Sequence, residues 1–356
     1  MAVRYGLLVA RQALMPLLLF TALPAEAQTP AATPAATHAA SGPAAPISTS
    51  HGTLIIGNKG ENTVSFIDLA TGREMERRET GLMPHEVAIS PDGNRAAVVA
   101  YGGQTIDIFD VSSGHFVETI DLAPNLRPHG IAWLVDGRIF ATTEGSDTLT
   151  IVSPEGAGWK VSGIPTGNKG SHMLAVTADG ARAFVSNLSS KNVTVLDVAK
   201  GKKVTDLAAG TEPEGIALTP DERELWVAAR GSNDVYVFDA MSLKQLALIE
   251  TGRFPIRIAI SPDGKTAVTS DLQDGSLTLI DTATRTVKAK ITLGGSERSA
   301  QVTLLFSPDG ARLYAAETGL DRIAEIDMTS GTLIGRLPAG KNGDGLGLSP
   351  VPFKRN

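Results

Sequence analysis

The tetrapeptide SPDG, or a close variant, recurs along this chain at nearly constant spacing. It stands at 90–93 (SPDG), 134–137 (LVDG), 177–180 (TADG), 219–222 (TPDE), 261–264 (SPDG) and 307–310 (SPDG), so successive starts lie 44, 43, 42, 42 and 46 residues apart. A partial copy, DGLGLSP at 344–350, ends the series. A fixed period of this length marks a repeat architecture, in which each unit buries its apolar surface only against its neighbours. The chain of 356 residues is also longer than one ordinary core needs.

One unit, 172–208, shows the internal layout. HMLAVT leads through a turn to RAFVSN, LSSK forms a polar loop, and NVTVLDV passes over a glycine turn into KKVTDLAAG. Apolar–polar alternation bounded by Gly, Asp, Asn and Pro is the pattern of half-buried antiparallel strands. Four short strands in every unit describe one blade of a β-propeller, and no amphipathic helix separates them as a (β/α)8 barrel requires. The expected fold is therefore all-β: a seven-bladed β-propeller over 51–352, four antiparallel strands per blade, with a short tail at 353–356. Residues 53–79 supply only three strands, and DGLGLS is an innermost strand without a blade. Pairing of the N- and C-terminal segments in one blade should close the ring and hide both edges.

Units such as ARAFVSNLSSKNVTVLDVAKGKKVTDLAAGTEPEGIALTPDE resemble the YVTN-type propeller repeat, over about residues 52–350. That resemblance implies the fold strongly and an activity weakly. The YVTN family holds periplasmic and surface proteins, and propellers serve as lactonases, lyases, electron-transfer subunits and plain binding scaffolds.

The first 27 residues read differently. Arg4 and Arg11 precede an apolar stretch to about Ala25, and AEA at 25–27 supplies small residues for cleavage near Ala27. This is the form of a secretory signal peptide, with a retained anchor as the alternative. Residues 28–50, rich in Ala, Pro, Thr and Ser, read as a flexible linker. The protein is thus expected to be periplasmic or secreted, without membrane insertion. Losing two arginines and one glutamate takes the net charge from −6 to −7, which argues against nucleic acid as a partner. There is no cysteine, hence no disulfide, thiolate metal site or cysteine nucleophile. No GxSxG elbow, Walker loop or dinucleotide fingerprint occurs.

The chemistry is concentrated in one column of the repeat. Aligned on the SPDG turns, His85, His129, His172, Glu214, Ile256, Val302 and Asp344 hold equivalent places at the start of each innermost strand. Three of only six histidines share that column, on consecutive blades. Imidazoles and a carboxylate are ligands for zinc, iron, copper or manganese, so His85, His129, His172 and Glu214 are the candidate set for a divalent transition metal. Glu214 is alternatively a general base. The plainer explanation is a ring of solvated polar groups. A second column on the same face, in the loop after the second strand, holds Asn58, Tyr101, Glu144, Asn187, Arg230, Asp271 and Glu317 to within one position. Asn58 and Asn187 fit turn capping. Tyr101, Glu144 and Arg257 are added to the candidate catalytic set, Arg257 as an anion partner. Two functions follow as expectations: metal-assisted chemistry on a small molecule at the channel mouth, or a non-catalytic scaffold for a ligand or periplasmic protein partner.

Overall fold

The computed structural model describes residues 51–294 and 296–354. The signal peptide and linker expected over 1–50 lie outside the described residues. Seven antiparallel sheets of four strands make a seven-bladed β-propeller, and three single 3-10 turns are its only helical elements among the described residues. In blade one the last strand of the chain, Gly343–Ser349, pairs with the first, Thr53–Asn58, with Ile55 opposite Gly347. The expected closure is therefore present. The innermost strands of blades two to seven are Pro84–Ile89, Pro128–Trp133, Ser171–Val176, Pro213–Leu218, Pro255–Ile260 and Gln301–Phe306. With Gly343–Ser349 they touch one another in a closed ring.

Burial on both faces explains why the second strands are apolar runs rather than alternating ones. Leu54 and Ile56 pack toward blade seven, beside Tyr314 and Ile323, while Ile55 packs toward blade two, beside Val98 and Phe109. Outermost strands such as Arg73–Glu79 and Lys202–Ala208 keep charged side chains at their open edges, which discourages strand addition. Packing continues beyond 352. Phe353 lies 5.9 Å from the Phe66 ring, and the Lys354 N–H donates to the Ser112 carbonyl at 2.7 Å. The segment expected to be a tail from 353 is thus docked up to Lys354, through one aromatic that no periodicity could have signalled.

Two backbone devices aim the innermost strands. Each pairing of an innermost strand with its neighbour shifts register near the entry; in blade two, Pro84 faces Ala100 but Val87 faces Val98, so His85 and Glu86 together oppose one residue. The same shift recurs in the other six blades. Such a bulge bends the strand and re-aims its side chains. Just before it, the residues Met83, Arg127, Gly170, Glu212, Phe254, Ala300 and Asn342 all have positive φ, between 43° and 76°. Six of these seven are not glycine, so the turn is held against a backbone preference by its surroundings.

Candidate functional site

The carbonyl of each positive-φ residue accepts a hydrogen bond from the residue that follows the second strand: Lys59, Tyr101, Glu144, Leu188, Arg230, Leu272 and Thr318. This lock fixes the true second column. Tyr101, Glu144 and Arg230 belong to it, whereas Asn58, Asn187, Asp271 and Glu317 stand one residue earlier, as the last residues of their strands. Those four are buried between strands. Asn58 donates to Ser65 at 2.7 Å and Asn187 to Thr194 at 2.9 Å, so both amides bridge to side chains of the third strand of the blade, where turn capping was expected. Asp271 accepts from Thr278 at 2.5 Å, and Glu317 pairs with Arg322 and Arg336. Lys59 was missed by the looser alignment.

The bulges leave amide groups without ladder partners, and hydroxyls of the second strand take them up. Thr142 accepts from the Gly130 N–H at 2.9 Å, Ser186 from Met173 at 3.2 Å and Ser270 from Arg257 at 3.2 Å. Each hydroxyl then donates to the axial carbonyl of the next blade: His172, Glu214 and Val302 respectively. The side chains on the axis are thereby held from two blades at once.

Toward the axis these devices build a filled centre rather than an open ring. The imidazoles of His85, His129 and His172 lie in a row: His129 meets His85 edge-on with centroids 4.4 Å apart, and His172 at a tilt of 33° with centroids 3.7 Å apart. Tyr101 stacks on His85 at 4.7 Å and meets His129 edge-on at 5.4 Å. His172 is held between two carboxylates, Nδ1 donating to Glu144 at 2.7 Å and Nε2 reaching Glu214 at 3.3 Å. Glu214 also accepts from Arg230 and from Arg257. Arg257 extends across the axis to Glu86 at 2.9 Å, from blade six to blade two. Lys59 pairs with Asp344 at 2.7 Å, and His85 Nδ1 stands 3.7 Å from the same carboxylate. Arg127 lies over the Tyr101 ring at 4.4 Å and donates to its hydroxyl, which itself donates to Glu144 at 3.1 Å.

In blade six the axial group is thus Arg257, with Ile256 next to it in the apolar set. Glu86 occupies the same bulge position in blade two that Arg257 holds in blade six. Sequence alignment of that neighbouring column would have found it.

These contacts divide the histidines into two kinds. Burial pushes His85 down to about 4 and holds His129 well below the usual imidazole range. Burial acts on His172 in the same sense, yet the Glu214 and Glu144 carboxylates outweigh it and raise its pKa. Burial would raise Glu214, but Arg257, His172 and Arg230 hold it far below an ordinary carboxyl. Adjacent imidazoles are therefore pushed in opposite directions, His129 toward its neutral form and His172 toward its protonated form.

The expected metal set is only partly suited to that task. His172 has both ring nitrogens engaged by carboxylates, and both Glu214 oxygens accept from cations. The buried Nδ1 atoms of His85 and His129 have no hydrogen-bond partner. Among the described residues no three His, Asp or Glu side chains converge in an arrangement that can hold a metal ion.

A sequence model of the seven-bladed β-propeller lactonases matches residues 57–292. The chain belongs to the lactonase propeller family. Solved structures similar to this lactonase-family chain show the fold alone. Hydrazine synthase of Kuenenia stuttgartiensis has a TM-score of 0.68 at 18% identity, over 78% of this chain and 92% of that one. A functionally unknown protein from Desulfotomaculum acetoxidans DSM 771 has a TM-score of 0.70 at 15% identity, over 84% and 99%. The dihydro-heme d1 dehydrogenase NirN, in complex with DHE, has a TM-score of 0.62 at 16% identity, over 85% and 76%. No curated protein matches the chain.

Proposed function

We propose that the axial face is an acid–base site that hydrolyses a cyclic ester. The observation that carries this is His172, clamped between Glu144 and Glu214 with the tilted His129 ring 3.7 Å away. His129, kept neutral by burial, takes a proton from a water as its oxygen bonds to the lactone carbonyl carbon. The ring carbon–oxygen bond then breaks, and the departing oxygen receives the proton of His172. The Nε2–Glu214 contact, at 3.3 Å, is the weaker of the two that His172 makes and is the one a substrate oxygen replaces. General acid–base groups of this kind contribute roughly 100- to 10,000-fold. The lactonase family supports the substrate class, and no step calls for a cofactor.

The experiment is turnover of a lactone panel by the mature chain, followed as acid release. His129→Gln and His172→Gln should each lower kcat by at least about 100-fold. Wild-type protein inert toward every lactone, or variants of full activity, would reject the proposal.

A second reading, a non-catalytic scaffold, draws on the completeness of the ion pairing from Glu144 through His172, Glu214 and Arg257 to Glu86. It requires that the same histidine variants keep the protein's cellular role. In either case we place the protein outside the cytoplasm, as a YVTN-like exported member, on the strength of its first 27 residues. N-terminal sequencing of the mature chain tests that placement.

A further inference from the structure

The rim above the histidines differs from the rest of the mouth. Three residues before each axial position the chain turns on the face of the propeller. In blades two and three that position is Leu82 and Leu126, 59% and 44% exposed. In the remaining blades it is polar, with Lys169, Arg253 and Lys341 among the five. Met83, beside Leu82, is 45% exposed as well. Isolated exposed leucines need no explanation, but these occupy one repeat position and stand over one half of the site.

Both leucines are joined to the catalytic loops. The Leu82 carbonyl accepts from the Gly102 N–H at 2.8 Å, next to Tyr101. The Leu126 carbonyl accepts from Gly145 at 3.0 Å, next to Glu144. A methyl group on Gly102 would come within 2.8 Å of the Leu82 Cβ, so the leucine lies directly on that loop. The two leucine turns are therefore tied to the loops that carry Tyr101 and Glu144, and the guanidinium of Arg127, beside Leu126, lies over the Tyr101 ring at 4.4 Å. The cations deeper in the mouth are already neutralised: Lys59 by Asp344, Arg230 by Glu212 and Glu214, Arg257 by Glu86 and Glu214. These three cations are taken up by carboxylates, the half-exposed Arg127 stands 3.8 Å from Glu144, and an apolar substituent finds the leucine surface to cover.

We infer that the substrate is a lactone carrying an apolar side chain, which lies over Leu82, Met83 and Leu126 while the ring enters beside His129. This rests on the acid–base reading of the same site and names the substrate class within it. Covering the chain removes it from water, a gain that grows with each methylene.

The test uses γ-lactones with side chains from methyl to octyl, the wild-type protein and the variant Leu82→Ser/Leu126→Ser. In the wild type kcat/KM should rise at least about tenfold from methyl to octyl, and the variant should lose most of that rise. Calorimetric affinity of the same lactones for His172→Gln gives a readout without turnover and should show the same dependence on chain length. Melting temperatures identify a variant that has lost its fold, in which case Leu82→Ser alone replaces it. Equal handling of methyl and octyl lactones, or a variant that keeps the preference, overturns the inference. Binding that follows chain length through the two leucines, without hydrolysis, overturns the catalytic reading and leaves this one standing. Neither binding nor turnover of any lactone rejects both.

Discussion

Arg257 of blade six reaches Glu86 of blade two across the propeller axis, its Nη2 donating to Oε1 at 2.9 Å. Both side chains are almost wholly buried, and the same guanidinium also serves Glu214. Removing one member of a buried ionic group leaves the others uncompensated. Arg257→Met should therefore cost about 3–5 kcal/mol in urea unfolding, and Arg257→Met with Glu86→Leu should recover part of the loss. A single variant as stable as the wild type would show that the pair contributes nothing across the axis.

Glu144 is a positioning residue in the proposed chemistry, since it acts through His172. Glu144→Gln withdraws a carboxylate that favours the imidazolium, so the pKa of His172 falls. The form able to donate a proton is then lost at lower pH, and the alkaline limb of the pH–rate profile should move to lower pH. A drop in kcat with an unmoved limb would point instead to a purely structural role for Glu144.

Burial raises Asp271 to about 6, against the lowering influence of Thr278 and Thr269. The folded state therefore holds this proton more tightly than the unfolded chain does. Stability from this group is present at low pH and declines as pH rises through about 4 to 6. Asp271→Asn should remove that slope and, at pH 7, raise stability by up to about 3 kcal/mol, as two pKa units convert at 1.36 kcal/mol each. Denaturation midpoints between pH 4 and 7 measure it; parallel curves for the two proteins would refute the assignment.

Closure of the ring depends on a very close approach in blade one. A Cβ on Gly345 would stand 1.6 Å from the His85 carbonyl oxygen, so Gly345→Ala cannot be accommodated without parting blades one and two. The expected result is loss of soluble monomer on size exclusion, as for deletion of everything from Gly343 onward. Gly158→Ala, at an ordinary φ and with no atom nearer than 4.0 Å to the new carbon, is the control and should cost far less. A stable monomeric Gly345→Ala protein would mean that the innermost strand of blade one is dispensable.

Metal dependence separates two chemistries at one place. Lactone turnover by His129 and His172 should survive dialysis against a chelator, measured on protein purified without a polyhistidine tag. Activity lost to the chelator and restored by zinc, iron, copper or manganese would return the histidines to the ligand role that their shared column first suggested.

The blade count and the ring closure were legible because strand alternation and turn residues act locally, and the period multiplies the signal. The axial column was legible for the same reason, as His85, His129 and His172 share one offset from the SPDG turn. What lay beyond the sequence was the company each side chain keeps. Arg257 and Glu86 are 171 positions apart, and only closure of the ring brings their strands within reach of one another. Lys59 was hidden by a one-residue ambiguity of alignment, which the hydrogen bond from its N–H to the Asn342 carbonyl resolves. Leu82 and Leu126 stand out only once their exposure is known, since a leucine in a turn carries no signal of its own in the sequence.

The seven positive-φ turns carry a consequence for how such a site changes over time. They fix the place at which the second and third residues of each innermost strand enter the axial layer, whatever those residues are, and the third reaches the axis as Glu86 in blade two and as Arg257 in blade six. Aim is a property of the main chain and content a property of the codon. A substitution on the axis therefore exchanges one functional group for another at a fixed address, and each blade can be rewritten while its six neighbours keep their geometry.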